Sequence, residues 1–447
     1  MRVLLVSTYE LGHQPFGLAS PAAWLREAGV DVECVDVSRH RLEDAAIGGA
    51  DVVGFYVPMH TAMRLALPLI ERVRNVNGAA AVCAFGLYAP LNEAALRAAG
   101  VSAVFGGEFE DELTRWIVSG PGVGAREPER LAPLPRLQFR VPDRRGLPAL
   151  NQYASLQMPD GTRVPAGYTE ASRGCKHWCR HCPIVPVYEG HFRIVPPDIV
   201  MADVAAQVRA GARHISFGDP DFFNGIAHAL AVARAFGRAH PGITYDATIK
   251  IEHLLKHADA LPVLADTGCL FVTSAVESVE DTVLAKLEKG HTRADFERAV
   301  SLCREAGVLL APTFVPFTPW TTVEGYGDLL ETIVRLNLVE HAAPIQLAIR
   351  LLVPNGSRLL ELDDIRAVIG EYDPRGLVYP WRHPDPRVDR LQAAVQSIVG
   401  ARLDAPRRET FARVWDAAHA AAGHSLPAPP PTVARAAVPY LTEPWYC

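Results

Sequence analysis

The chain has 447 residues, is 49% hydrophobic, and carries 44 lysines and arginines against 50 aspartates and glutamates. Its net charge of −6 offers no basic footprint for nucleic acid or an anionic membrane surface, and no apolar run reaches membrane-spanning length. The length suffices for two or three domains, each with its own core. No signal-peptide cleavage pattern follows Met1, so the expected compartment is the reducing cytoplasm.

Residues 1–119 alternate apolar runs with amphipathic segments: Val3–Val6, Val30–Val35, Asp51–Tyr56, Ala80–Ala84 and Ala103–Phe105. Such alternation predicts an α/β domain built on a doubly wound, Rossmann-like parallel sheet. Ser20 and Pro21 read as an N-cap and first helical residue, and Gly29 as the stop of that helix. Leu65, Leu69, Ile70 and Val73 mark the apolar stripe of a later helix. Residues 120–165 form a linker, rich in Pro, Gly and Arg up to Pro148 and without hydrophobic periodicity there.

Then comes Arg173-Gly174-Cys175-Lys176-His177-Trp178-Cys179-Arg180-His181-Cys182-Pro183. Three cysteines at this spacing can turn their thiolates toward one point and leave a fourth corner open. A [4Fe–4S] cluster normally takes four thiolates, so a cluster held by three has one iron free. The alternative is zinc completed by His177 or His181, although their position inside the loop gives them little freedom to close a tetrahedron. Residues 166–358 continue as repeated strand and helix. His214–Phe217 is a strand ending in Gly218-Asp219-Pro220-Asp221, and Asp246–His253 reads as a strand with Lys250 and Glu252 at its outer end. Leu270–Ser278, Leu309–Phe317 and Ile345–Leu352 follow. With one strand ahead of the cysteines these make six βα units. Residues 359–425 read as helical, with stripes at Leu391, Val395 and Ile398 and at Phe411, Val414 and Trp415. Residues 426–447 are a Pro-rich linker and a tail ending in Cys447. Cys34, Cys83, Cys269 and Cys303 lie in apolar runs and are expected to be buried and reduced.

The cysteine spacing, with Trp178 just before the second cysteine, resembles the signature of the radical S-adenosylmethionine (SAM) enzymes. That resemblance implies a (βα)6 partial barrel, a [4Fe–4S] cluster on Cys175, Cys179 and Cys182, and SAM chelating the free iron. It implies that Gly218, Asp219, Pro220 and Asp221 hold the SAM amino group through backbone and carboxylate, and that Glu277, with Ser278 beside it, contacts the ribose. Lys250 is a candidate ligand for substrate or the SAM carboxylate, and Lys289-Gly290-His291-Thr292 is similar to a Lys-Gly-x-Thr stretch of relatives. A small-molecule substrate and an electron donor such as flavodoxin or ferredoxin are the partners to expect.

Gly17–Ser20 and Gly106–Leu113 resemble the cobalamin-binding-type domain that precedes many radical SAM cores. A D-x-H-x-x-G motif is missing, since Glu10-Leu11-Gly12-His13 and Pro58-Met59-His60 do not match it. Cobalamin bound without a histidine ligand and a domain kept as scaffold both stay open. Gly211–Asp221, Trp381–Asp389 and the tail are similar to the radical SAM subgroup named for a Cys-Sec-Ala-Glu-Pro or Cys-Cys-Ala-Glu-Pro tail. This implies that the native chain continues past Cys447 through a UGA codon, as a selenoprotein, and that the tail approaches the active site during turnover. The expected activity is reductive cleavage of SAM, yielding a 5′-deoxyadenosyl radical or transferring the 3-amino-3-carboxypropyl group to arsenite. A metal- or selenium-binding protein that leaves SAM intact is the non-enzymatic alternative.

Overall fold

The computed structural model describes residues 1–121, 137–401, 405–423 and 440–442. Five parallel strands open the chain: β1 (Arg2–Ser7), β2 (Asp31–Asp36), β3 (Val52–Tyr56), β4 (Ala81–Phe85) and β5 (Ala103–Phe105). They lie in the order β2-β1-β3-β4-β5. The central strands read as unbroken apolar runs because helices cover both faces. Leu4, Val6, Val53 and Phe55 pack on one side with Met63, Ala66, Ile70 and Val73 of the helix His60–Val76. Val3, Leu5, Val52 and Phe85 pack on the other with Leu18, Leu25, Leu113 and Ile117. Leu65, expected on the buried stripe, is 47% exposed, one position off the face that Met63 and Ala66 bury.

The first helix runs Phe16–Glu27, so Ser20 and Pro21 lie inside it rather than at its start. Burial of Phe16, Leu18, Ala22 and Leu25 outweighs the local preference of Pro for a first turn, and the Ser20 hydroxyl donates to Glu110 instead of capping. Gly29 does stop the helix: at φ +76 it lets the Val30 N–H reach the Leu25 carbonyl.

A second sheet curls around the other core. Its strands are β6 (Ser155–Gln157), β7 (Arg163–Thr169), β10 (His214–Phe217), β11 (Thr244–Thr248), β12 (Cys269–Glu277), β13 (Leu309–Phe314) and β14 (Tyr440–Leu441), while β8 (Ser172–Gly174) pairs apart with β9 (Phe192–Ile194). The order is β13-β12-β11-β10-β7-β6-β14, with β7 and β10 to β13 parallel and β6 and β14 added antiparallel at one edge. This is a half-barrel with helices Pro197–Arg209, Ile226–Ala239, Arg293–Glu305 and Val323–Arg335 outside it. Helices Pro386–Ala401 and Arg407–Ala422 dock on the same core through Leu391, Val395, Phe411, Val414 and Trp415.

Two strand expectations need correction. Asp246–His253 is strand only to Thr248; Lys250 is the N-cap of a helix Ile251–Lys256. Ile249 and Ile251 alternate like a strand, but the core buries Leu254 as well, at helical spacing from Ile251. Ile345–Leu352 holds one turn of 3-10 helix, Pro344–Leu347, and then pairs with the segment after β13 only through an isolated parallel bridge between Phe317 and Arg350. The sixth barrel position is thus reduced to that bridge. Cys34, Cys83, Cys269 and Cys303 are buried free thiols, as expected. Among the described residues no helix is long and apolar enough to cross a membrane.

Candidate functional site

The cysteine loop leaves β8 through Gly174, whose φ is +74. A Cβ there would stand 2.3 Å from the Tyr188 ring and 2.6 Å from the His191 carbonyl oxygen, so only glycine fits the exit. Cys175 and Cys179 are buried, Cys182 is partly so, and all three are free. Burial pushes the Cys175 thiol up and the Cys182 thiol to about 12. Two cations compensate nearby. Lys250 Nζ lies 3.7 Å from Cys179 Sγ, and Lys289 is buried within the field of Cys179 and Cys182. Coordination to a metal centre removes the remaining cost, since a ligating thiol is deprotonated outright.

Both loop histidines meet carboxylates. His181 Nε2 sits 3.1 Å from Glu277 Oε1, which also accepts from Lys289 Nζ at 3.2 Å. Burial alone would raise Glu277, yet Lys289 and His181 outweigh it and hold the carboxyl at about 2. Glu277 ends β12 at φ +67, a left-handed backbone that a non-glycine residue adopts only at some cost. His177 faces the opposite way, toward Asp221, Glu252 and His253. Burial and then Lys250 push it down to about 3, so the ring is neutral.

The Gly218–Asp221 segment leaves β10 beside this loop. The Asp219 carboxylate accepts from the Ala171 N–H at 2.9 Å and the Ser172 hydroxyl at 2.5 Å, and burial raises it to about 7. Asp221 Oδ1 accepts from the N–H of Phe223 at 3.2 Å and of Lys250 at 3.4 Å, while Oδ2 turns to the two histidines. Both carboxylates expected to receive the SAM ammonium are therefore directed inward. At Gly218 a Cβ would come within 1.8 Å of Tyr168 Oη, so the close approach it permits is that of Tyr168. Ser278 Oγ accepts from the Glu280 N–H and shapes the turn after β12.

Asn224, which carries no motif, ties the loop down. Its Oδ1 lies 3.9 Å from Cys175 Sγ and accepts from the Lys176 N–H, and its Nδ2 donates to the Gly174 carbonyl. One loop thus brings together Cys175, Cys179, Cys182, Lys250, Asp221 and Glu277. Cys447 lies outside the described residues.

Residues 169–324 match the Radical SAM superfamily. The chain carries a radical SAM domain. Two solved structures share the wider fold: the radical SAM methyltransferase TsrM from Kitasatospora setae, at TM-score 0.60 and 20% identity over 75% of this chain and 71% of that one, and the cobalamin-dependent SAM radical enzyme OxsB, at TM-score 0.68 and 13% identity over 90% and 67%. Curated relatives are more partial. The tRNA-2-methylthio-N(6)-dimethylallyladenosine synthase of Shewanella baltica is 23% identical over 228 residues, 48% of each chain. That of Methylococcus capsulatus is 26% identical over 233 residues, 49% of this chain and 50% of its own. The chain spans about half the length of these relatives.

Between the five-stranded sheet and the radical SAM domain lies a cavity of about 230 Å³, lined by Phe16, Tyr56, Phe109, Tyr168, Arg173 and Tyr188. Pockets for drug-sized ligands run roughly 300–1,000 Å³, and a corrin is larger still. Gly17 in the first turn of the first helix and Gly86 after β4 leave room, but the Tyr56 ring fills it, 2.0 Å from where a Gly17 Cβ would stand. Cobalamin does not fit between these side chains as they stand, and no step below uses it. Beside the cavity, buried Arg173 pairs with Glu110 and Glu170 at 2.7 Å each and with Glu108 at 3.4 Å, and Tyr188 donates to Glu108. The acidic run Gly106–Leu113 thus serves, in part, to clamp the residue that starts the cysteine loop.

Proposed function

We propose that this protein is a radical SAM enzyme that binds a [4Fe–4S] cluster through Cys175, Cys179 and Cys182 and reductively cleaves SAM to act on a small molecule. The observation that carries the reading is the set of three free cysteines on one loop, with Nε2 of each loop histidine set against a carboxylate, His177 at Asp221 and His181 at Glu277. When bound, the cluster supplies one electron to a carbon–sulfur bond of SAM. Lys250 and Lys289 offset the thiolate charge, and the His181–Glu277–Lys289 chain fixes the loop beside the end of β12. With the Asp219 and Asp221 carboxylates turned inward, the peptide groups of Gly218 to Asp221 are left for the SAM amino group, and Glu277 and Ser278 for the ribose.

A flavodoxin or ferredoxin would deliver the electron, and the negative net charge favours a small molecule over a nucleic acid. The tail joins the proposal because Thr442 exchanges hydrogen bonds with Ser155 at the edge of the half-barrel. Anaerobic reconstitution with iron and sulfide, followed by reductant and SAM, tests the reading. 5′-Deoxyadenosine marks hydrogen abstraction; methylthioadenosine marks transfer of the 3-amino-3-carboxypropyl group to arsenite or a similar acceptor. Bound zinc with intact SAM would leave a metal- or selenium-handling protein.

A further inference from the structure

In the radical SAM domain His177 Nε2, Asp221 Oδ2 and His253 Nδ1 are buried ligand-type atoms that make no well-aligned hydrogen bond and face one another. All three lie within 4.8 Å of one another. His177 Nε2 is 3.6 Å and His253 Nδ1 2.5 Å from Asp221 Oδ2. Asp221 and His253 are almost wholly buried, at 0% and 1% exposure. Leaving polar atoms unpaired in a protein interior is costly, and three that converge from separate segments share one remedy. His177 comes from the cysteine loop, Asp221 from the turn after β10, and His253 from the helix Ile251–Lys256.

We propose that His177, Asp221 and His253 bind a divalent transition-metal ion, a mononuclear site separate from the cysteine cluster. Two imidazoles and one carboxylate are a ligand set for zinc or ferrous iron. The supporting contacts are those of metal ligands, whose remaining atoms are commonly oriented by hydrogen bonds and carboxylates. Glu252 Oε2 stands 3.5 Å from His177 Nδ1, the ring nitrogen facing away from Asp221. Two backbone N–H groups hold Asp221 Oδ1, leaving Oδ2 for the ion. With three protein ligands, a tetrahedral ion keeps one position for water or a donor atom of the substrate. The site goes beyond the radical SAM reading and needs only the placement of these three residues.

The test loads the anaerobically reconstituted protein with Zn2+, removes loose metal, and counts zinc and iron per chain. The expected result is one zinc beyond the iron in the unaltered protein, and loss of that zinc with unchanged iron in His253→Ala and Asp221→Asn. Zinc retained at the unaltered level in both variants would overturn the site. Should a variant lose iron as well, anomalous diffraction at the zinc edge from crystals of the unaltered chain decides. A peak between the three residues supports the site, and its absence rejects it. Iron is counted separately, so failure of this site and failure of the cluster reading are told apart.

Discussion

Two places in this molecule occupy the same topological position, over the carboxyl ends of parallel strands, where open α/β sheets bind ligands. Over the five-stranded sheet the space is closed by the chain itself: Tyr56 fills the glycine gaps, and Arg173 takes the charges of Glu108, Glu110 and Glu170. Over the half-barrel the opposite holds. Three free thiols share one loop there, and His177, Asp221 and His253 turn buried ligand-type atoms toward one another. The first region is largely filled by its own side chains, and the second presents thiols and ligand-type atoms.

Breaking the half-barrel site should have the largest effect. Cys175→Ala, Cys179→Ala or Cys182→Ala is expected to abolish SAM cleavage and bring bound iron from about four per chain to near zero, read by iron analysis and product chromatography. Breaking the scaffold costs stability instead. Arg173→Met strands two buried carboxylates, Glu108 and Glu110, and the half-buried Glu170, and removing one partner of a buried charge network costs about 3–5 kcal/mol; thermal unfolding of the cluster-free protein checks this. Tyr56→Ala removes the ring between Gly17 and Gly86. Large-to-small changes of this kind cost about 3–5 kcal/mol in a packed core and less where the void hydrates. Corrinoid absorbance retained after gel filtration by Tyr56→Ala, and not by the unaltered chain, would show that this ring keeps the cavity closed. The smallest effect belongs to Asn224→Ala, which frees the Gly174 and Lys176 backbone for about 1 kcal/mol and is expected to speed iron loss to a chelator without preventing assembly.

How much of this was legible in the sequence followed how local each signal is. The cysteine loop was readable because its ligands lie within eight residues of one another, and β1, β3 and β4 because strands buried on both faces are uniformly apolar. Lys250–His253 was misread because Ile249 and Ile251 satisfy strand alternation as well as a helix start. The sixth barrel strand failed for a different reason: Ile345–Leu352 is apolar enough, but Pro344 starts a 3-10 turn and the pairing that follows is one isolated bridge at Phe317 and Arg350. Asp219 and Asp221 were placed in the right loop, while the direction of their carboxylates depended on Ser172 and His253, distant in sequence. His253 itself gave no signal. It meets His177 only because the cysteine loop folds over the helix that follows β11, a juxtaposition no spacing rule encodes. The charges of Glu108, Glu110 and Arg173 likewise look solvated until the two sheets are brought together.

The central claim is that three thiolates hold a cluster whose fourth iron is open to SAM. Electron paramagnetic resonance of the reconstituted, reduced protein, recorded with and without SAM, tests it directly. The account predicts the signal of a reduced [4Fe–4S] cluster that shifts when SAM is added. A protein that takes up zinc at the cysteines with no iron, or a cluster signal unchanged by SAM, would contradict it.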